Sequence, residues 1–410
     1  MSSNHRVLIF ILAALSMLGA LSIDAYLPAL PTIAAHFAVT LPAAQQTLSI
    51  YLFTFAFMTL FYGTLSDSFG RKPVIMLSMV AYMAGSIGAG LSVSLGWLIF
   101  FRALQGLSAG AGAVVGRAVV GDLMSGAEAQ RTMSYISMVF GLAPAIAPVL
   151  GGWLMTLFGW RSIFGFIALF SLALLLACWR HLPESLSLKE RHPFHFKVIL
   201  GNYWRVARHP QYLFRCLGMA FTFSGVMLYV GSAPSYVVDV LHLTATEYGW
   251  LFIPLIGGMT LGSWLAAKYS HTFAPSRFIL AGFIIMGVSA LASIAYAWFF
   301  VSRVPWAVIP IGAYSFGMAL GSPAMMVTTL EIFPRVRGLA ASLQTFIFMI
   351  IFALSSGFIC PLLFGSGLKL SLAVLVGYVI SILFWLLGRL DTETMHKSVE
   401  QDEREIVSAS

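Results

Sequence analysis

Apolar residues along this chain come in blocks of around twenty, separated by short clusters of charge, Pro and Gly. Blocks of that length suit helices that cross a bilayer, whose core is about 30 Å thick against a helical rise of roughly 1.5 Å per residue. A barrel is excluded, because spanning strands need about ten residues of alternation and these blocks do not alternate. Twelve spans are predicted, at 7–30, 45–64, 74–93, 97–120, 132–156, 162–180, 213–236, 247–267, 277–301, 306–329, 339–363 and 370–389. The organisation is therefore all-α: a six-helix bundle over 1–180, a linker over 181–212, a second six-helix bundle over 213–390 and a polar tail over 391–410, expected to be disordered.

Composition removes the competing classes. With 59% hydrophobic and 9% charged residues in 410, against about 25% charged in an ordinary soluble domain, no water-soluble fold fits. The first block is no cleaved leader: it is too long, carries Asp24, and ends in Pro28 and Pro31 instead of a small-residue cleavage site. Cys178, Cys216 and Cys360 lie in or beside different spans without ligand spacing, and Pro and aromatics interrupt the linker histidines His181, His192, His195 and His209. No metal site and no cofactor are expected. The chain has no G-x-x-x-x-G-K-[ST] loop, which argues against ATP as an energy source.

Charge then sets orientation. Of 23 Lys and Arg residues, eighteen fall on one side when the N-terminus is placed inside, which puts both termini in the cytoplasm. The net charge of +8 is thus a topology signal and implies no nucleic-acid partner. The linker is basic and carries Phe194, Phe196, Ile199, Tyr203 and Trp204, which suits a helix lying in the headgroup layer. An acid followed by bases recurs after spans 4 and 10, at Asp122 with Arg131 and at Glu331 with Arg335 and Arg337, the placement a duplicated half predicts.

Few charges fall inside spans. A carboxylate at the bilayer centre costs about 2.5–3.5 kcal/mol on insertion scales, so Asp24, the one acid within a span, is a functional candidate. Arg102 lies at similar depth in the outer half, and the two can pair. The alternative is that Arg102 snorkels outward while Asp24 caps its segment before Pro28. Arg117, near the inner end of span 4, has no assigned role. Between spans 2 and 3, Asp67 ends a helix, where the dipole disfavours an anion and a cationic partner is needed. Gly70 permits a left-handed turn, and Pro73 suits a first helical position.

That loop, Gly63-Thr64-Leu65-Ser66-Asp67-Ser68-Phe69-Gly70-Arg71-Lys72-Pro73, resembles the loop signature of the major facilitator superfamily. Phe101-Arg102-Ala103-Leu104-Gln105-Gly106 resembles its span 4 motif, and Ala147-Pro148-Val149-Leu150-Gly151-Gly152, after Pro144, its antiporter motif in span 5. Leu21 to Pro31 is similar to the first span of the Bcr/CflA-type drug/proton antiporters, named for bicyclomycin and chloramphenicol resistance. The resemblance implies the major facilitator fold, with two pseudo-symmetric bundles around an alternately opening cavity. It implies that Asp24 takes protons and touches substrate, that Arg102 is the motif arginine, and that Gly63, Asp67, Gly70, Arg71 and Lys72 form a loop latch with Asp122. Ser16 stands where relatives carry a second acid, and Ala266 where the second half would carry its loop acid, so the latch is expected to be one-sided.

Tyr51, Phe55, Gln105, Phe221, Phe223, Tyr229, Met318 and Met325 are the candidates to line an apolar cavity. Pro144 and Pro148 are expected to bend span 5. The function implied is efflux of small hydrophobic molecules against inward proton flow, by a monomer in a bacterial inner membrane. Uptake of a metabolite on the same fold is the alternative, and a membrane receptor or enzyme a lesser one.

Overall fold

The computed structural model describes residues 3–191 and 194–389, together with 399, 402, 403 and 406. His192 and most of the 391–410 tail lie outside the described residues. The chain clusters into two units: Met1–Phe194 with Leu243–Gly249 and Ser356–Pro361, and His195–His242 with Trp250–Ser355 and Leu362–Ser410.

In the first unit, α1 (Ser3–Asp24) ends at the candidate acid. A turn at Leu27–Ala29, with Pro28 withholding a backbone donor, leads into α2 (Leu30–His36). The second span is broken: α3 (Leu41–Thr59) and α4 (Tyr62–Phe69) meet at 51°. Gly70, at φ +97°, turns the chain into α5 (Arg71–Gly90). The Ser94 side chain accepts from the Trp97 amide and starts α6 (Leu95–Leu123). Then come α7 (Gly126–Phe158) and α8 (Arg161–His181). Pro144 and Pro148 lie inside α7, which runs as one helix through both of the prolines expected to bend it.

Glycines set the helix spacing here. A Cβ on Gly106 would run into the Tyr51 carbonyl of α3, and one on Gly112 would lie 2.6 Å from the Leu15 carbonyl of α1. Without side chains at these two positions, α6 approaches backbone to backbone, as small residues allow in a bilayer.

In the second unit, α9 (Phe196–Ala207) is too short to span. It is followed by α10 (Pro210–Thr222) and α11 (Ser224–Ser235), a span bent by 43° that closes in a π-turn, Tyr236–Val240. The rest are α12 (Gly249–Tyr269), α13 (Pro275–Phe299), α14 (Ile309–Leu330), α15 (Arg337–Leu354) with its extension α16 (Cys360–Leu363), and α17 (Gly367–Leu387). Ile279, Met325 and Trp385 form a core that Met219, Phe283 and Ala324 pack against. Among the described residues, nine helices are long and apolar enough to cross a membrane alone and the two bent pairs bring the count to eleven. The helix α14, which covers the predicted span at 306–329, is not among these eleven.

Candidate functional site: a free carboxylate beside a caged arginine

Four helices of the first unit enclose Arg102. The side chain leaves α6 fully buried and lies between two aromatic faces, with its guanidinium carbon 4.5 Å from the Tyr26 ring centre and 4.2 Å from that of Tyr51. Its Nη1 donates to Gln105 Oε1 at 3.0 Å and to the Ser22 carbonyl at 3.4 Å, and Nε donates to the Thr47 carbonyl at 3.4 Å. Nη2 has no acceptor among the described residues. The cage walls are held in turn: Tyr26 shares a 2.6 Å hydrogen bond with Thr47, Tyr51 donates to the Gly19 carbonyl, and Gln105 donates to Ser86 at 2.8 Å. Ser22 and Tyr82 close the network through their hydroxyls.

Asp24 lies two residues from Ser22 and two from Tyr26, where α1 breaks, and is 5% exposed. Among the described residues its carboxylate makes no hydrogen bond and no ion pair, with Arg102 or any other group. The pairing expected from matching depth is thus absent. The tyrosine faces, Gln105 and two backbone carbonyls engage the guanidinium through its planes, Nε and Nη1, as cation–π contacts of a desolvated arginine allow. The alternative of outward snorkelling fails as well, because Arg102 is wholly buried.

One of the antiporter-type glycines lies against the turn that follows this acid. A Cβ on Gly151 would collide with the Ala25 carbonyl, one residue past Asp24, and a Cβ on Gly152 would collide with the Ala245 carbonyl. Ala143 and Ala147 of α7 are buried nearby along the same helix, while Pro144 is half-buried and Pro148 buried.

A second polar cluster gathers on the basic side. Arg71, 7% exposed, donates to Asp67 Oδ1 at 2.5 Å, to Ser66 Oγ at 2.6 Å and, through Nε, to Asp122 Oδ2 at 3.0 Å. Asp122 also accepts from Ser185 at 2.7 Å. Glu184 caps the start of α5, accepting from the amides of Arg71 at 3.0 Å and Lys72 at 3.2 Å, and pairs with Arg191 at 3.7 Å. A Cβ on Gly70 would strike Glu184 and Arg191, whereas Gly63 faces open space. Lys72 donates from Nζ to the Trp179 carbonyl.

The Major Facilitator Superfamily profile matches residues 12–356. The chain belongs to the major facilitator superfamily. It is 27% identical over 391 residues to a bicyclomycin resistance protein homologue of Haemophilus influenzae, covering 93% of this chain and 98% of that one. Multidrug resistance protein D of Escherichia coli is 27% identical over 82% of this chain and 84% of its own length. A bacterial homologue of the human lysosomal transporter Spinster, solved inward-facing and unoccupied, superposes with a TM-score of 0.72 at 16% identity over 98% of this chain and 99% of its own. A D-xylose–proton symporter matches at 0.72 and 13%, over 95% and 100%. This facilitator is accordingly a multi-pass membrane protein and a secondary transporter, not an enzyme.

Several of the facilitator's cavity candidates are committed to its interior. Tyr51 and Gln105 belong to the Arg102 network; Tyr229 shares a 3.2 Å hydrogen bond with Ser293; Met318 is fully buried and Met325 is part of the core. Phe55, Phe221 and Phe223 are half-buried, stacked on Tyr51, stacked on Phe384 and edge-on to Phe348 respectively. Within the spans of the second unit, Tyr229, Ser293 and Ser371 form one hydroxyl chain, and Thr222 and Ser381 another pair at 2.6 Å.

Two features were not foreseen. Ser66, Glu184, Ser185 and Arg191 join the loop cluster; the one signal for them is an acid and a serine just past Pro183, where span 6 ends. The tail, expected to be disordered, is helical and buried at Val399, Asp402, Glu403 and Ile406. Asp402 accepts from Arg208 at 2.6 Å and lies 2.7 Å from His209 Nε2, and Glu403 accepts from the Arg335 amide at 2.9 Å. The half that lacks a loop acid at Ala266 therefore receives carboxylates from the tail. Arg117 makes no ion pair among the described residues and is exposed.

Proposed function

We propose that this facilitator exports small hydrophobic, drug-like molecules from a bacterial cytoplasm across the inner membrane in exchange for protons, with Asp24 as the group that protons and substrate share. It works as a monomer without a cofactor, with both termini and the basic loops in the cytoplasm. The observation that carries this reading is the isolation of Asp24. A carboxylate in a bilayer interior is costly, and a structural acid would be paired with a cation. This one is left free while Arg102 is engaged by Tyr26, Tyr51, Gln105 and backbone carbonyls, so its occupancy by a proton or a substrate group is open to change. The drug-resistance names of the relatives support the same substrate class.

Coupling follows if the protonated and ionised forms of Asp24 favour different orientations, since a ligand shifts an equilibrium only by its differential affinity for the two states. Arg71 with Asp67 and Asp122 would hold one of those orientations. The test is transport in proteoliposomes under an imposed pH gradient, with chloramphenicol and a cationic dye as substrates. Wild-type protein is expected to move them against the proton flow, and Asp24→Asn to lose the gradient dependence. Normal gradient-driven exchange in the Asn variant would sink the assignment, and substrate moving together with protons would favour uptake instead.

A further inference from the structure

The segment between the two six-span halves contains a helix whose outer face is half or more exposed among the described residues. One side of α9 is built into the second unit: Ile199, Asn202, Tyr203 and Val206 are buried, with Tyr203 beside Ser342 near the start of α15. The other side presents Phe196, Leu200 and Trp204 at four-residue spacing, 50%, 51% and 71% exposed. Residues four apart stack along one helical face, so these three side chains form a single apolar stripe. Exposed Lys197 projects from the same side, beside Trp204 on the helical wheel.

Three observations identify what covers the stripe. First, only Arg208 and His209 separate α9 from α10, the start of a span, so the Trp204 end of the helix is fixed at the bilayer boundary. Second, twelve residues extend about 18 Å, too short to cross, while the amphipathic outer face suits a helix lying in the interface with Trp at headgroup level. Third, the charge has one sign. Between Glu190 and Asp239 the sequence has no acid, but it carries Arg191, Lys197, Arg205, Arg208 and Arg215. Arg208 is engaged by Asp402 and Arg205 donates to Asn202, whereas Lys197 remains turned outward.

We propose that α9 is a lipid-binding surface, with Phe196, Leu200 and Trp204 inserted among the acyl chains and Lys197 on the headgroup of an anionic phospholipid. Its buried face carries that contact to the starts of α10 and α15. Bilayer composition thereby acts on the second unit at the entry of its first span.

The full chain is reconstituted in nanodiscs of phosphatidylcholine alone or with phosphatidylglycerol. A fluorophore on Leu200→Cys reads depth, since the three native cysteines are buried. Quenching by spin-labelled acyl chains is expected, together with protection from aqueous iodide. Thermal stability should rise with phosphatidylglycerol, and Lys197→Glu should raise the lipid fraction needed for half of that rise by about fivefold or more, since each basic residue near an anionic surface is worth about 1 kcal/mol. Lys197→Arg should restore it. A probe quenched by iodide and not by lipid would overturn the proposal and leave the stripe to a protein partner. An unchanged phosphatidylglycerol response in Lys197→Glu would overturn the anionic headgroup.

Discussion

Gly151 of α7 lies against the carbonyl of Ala25, so close that no side chain fits between them. Because Ala25 follows Asp24, the helix that carries the antiporter-type motif sets the position of the free carboxylate. Gly151→Ala must push the two backbones apart, and overpacking of this kind costs about 1–3 kcal/mol. Thermal unfolding should register that loss, and gradient-driven transport should fall further than stability does. Wild-type transport in a folded Gly151→Ala protein would show that the Asp24 turn tolerates displacement.

Arg102 owes its place to two ring faces as much as to its hydrogen bonds. Lys at this position keeps the charge but has no flat guanidinium to lie between Tyr26 and Tyr51. Arg102→Lys is expected to destabilise the protein by about 1–3 kcal/mol, given roughly 0.5–2 kcal/mol for each desolvated cation–π contact. Tyr51→Leu should give a similar loss, and the double variant less than the sum. Additive losses in thermal melts would argue that the rings do not hold the arginine.

The loop cluster predicts a coupling. Arg71→Ala and Asp122→Ala should interact by about 0.5–3 kcal/mol in a double-mutant cycle of stability. Glu184→Gln should weaken the start of α5 by about 1 kcal/mol through its lost cap. A coupling near zero between Arg71 and Asp122 would mean that the ion pair carries no energy.

Docking of the tail has a defined pH sign. Burial alone would raise the Asp402 carboxyl, but hydrogen bonds from Arg208 and His209 and the charge of Arg208 outweigh it and hold the group below its ordinary 3.8. A depressed carboxylate contributes stability above its unfolded value and loses it as pH falls through the folded one. An environment-sensitive fluorophore on Val399→Cys, a buried position, should therefore report a buried site at neutral pH and down to pH 3.8, and an exposed one only below it. Asp402→Asn should accelerate labelling of the Val399→Cys thiol at neutral pH by about tenfold, as hydrogen bonds to charged groups are worth roughly 1.5–3 kcal/mol. Equal rates in the two proteins would refute docking through this residue.

Block length and loop charge made the spans legible in the sequence, because a bilayer imposes both directly. The loop from Gly63 to Pro73 was equally plain, its residue types and spacing being dictated by one tight turn. Asp24 and Arg102, named from their depth, do not pair, since helix depth says nothing about which neighbours a cation prefers; Tyr26 and Tyr51 take the carboxylate's place. The breaks near Leu60 and Phe223 have no Pro or Gly at the bend itself and left no local mark. Nor could composition show that a polar tail docks, because Asp402 and Glu403 meet Arg208, His209 and Arg335 only through long-range folding.

Inside the spans of the second unit, away from their ends, the polar groups are hydroxyls and amides, while the first unit holds both Asp24 and Arg102. Electrically the molecule is lopsided. A membrane voltage exerts about 2.3 kcal/mol per elementary charge per 100 mV, and it can do so only where charge resides. The second unit's interior, with Tyr229, Ser293 and Ser371 in a neutral chain, offers the voltage no handle. Any electrical work in a transport cycle therefore falls on the charges of the first unit and on whatever charge the substrate brings.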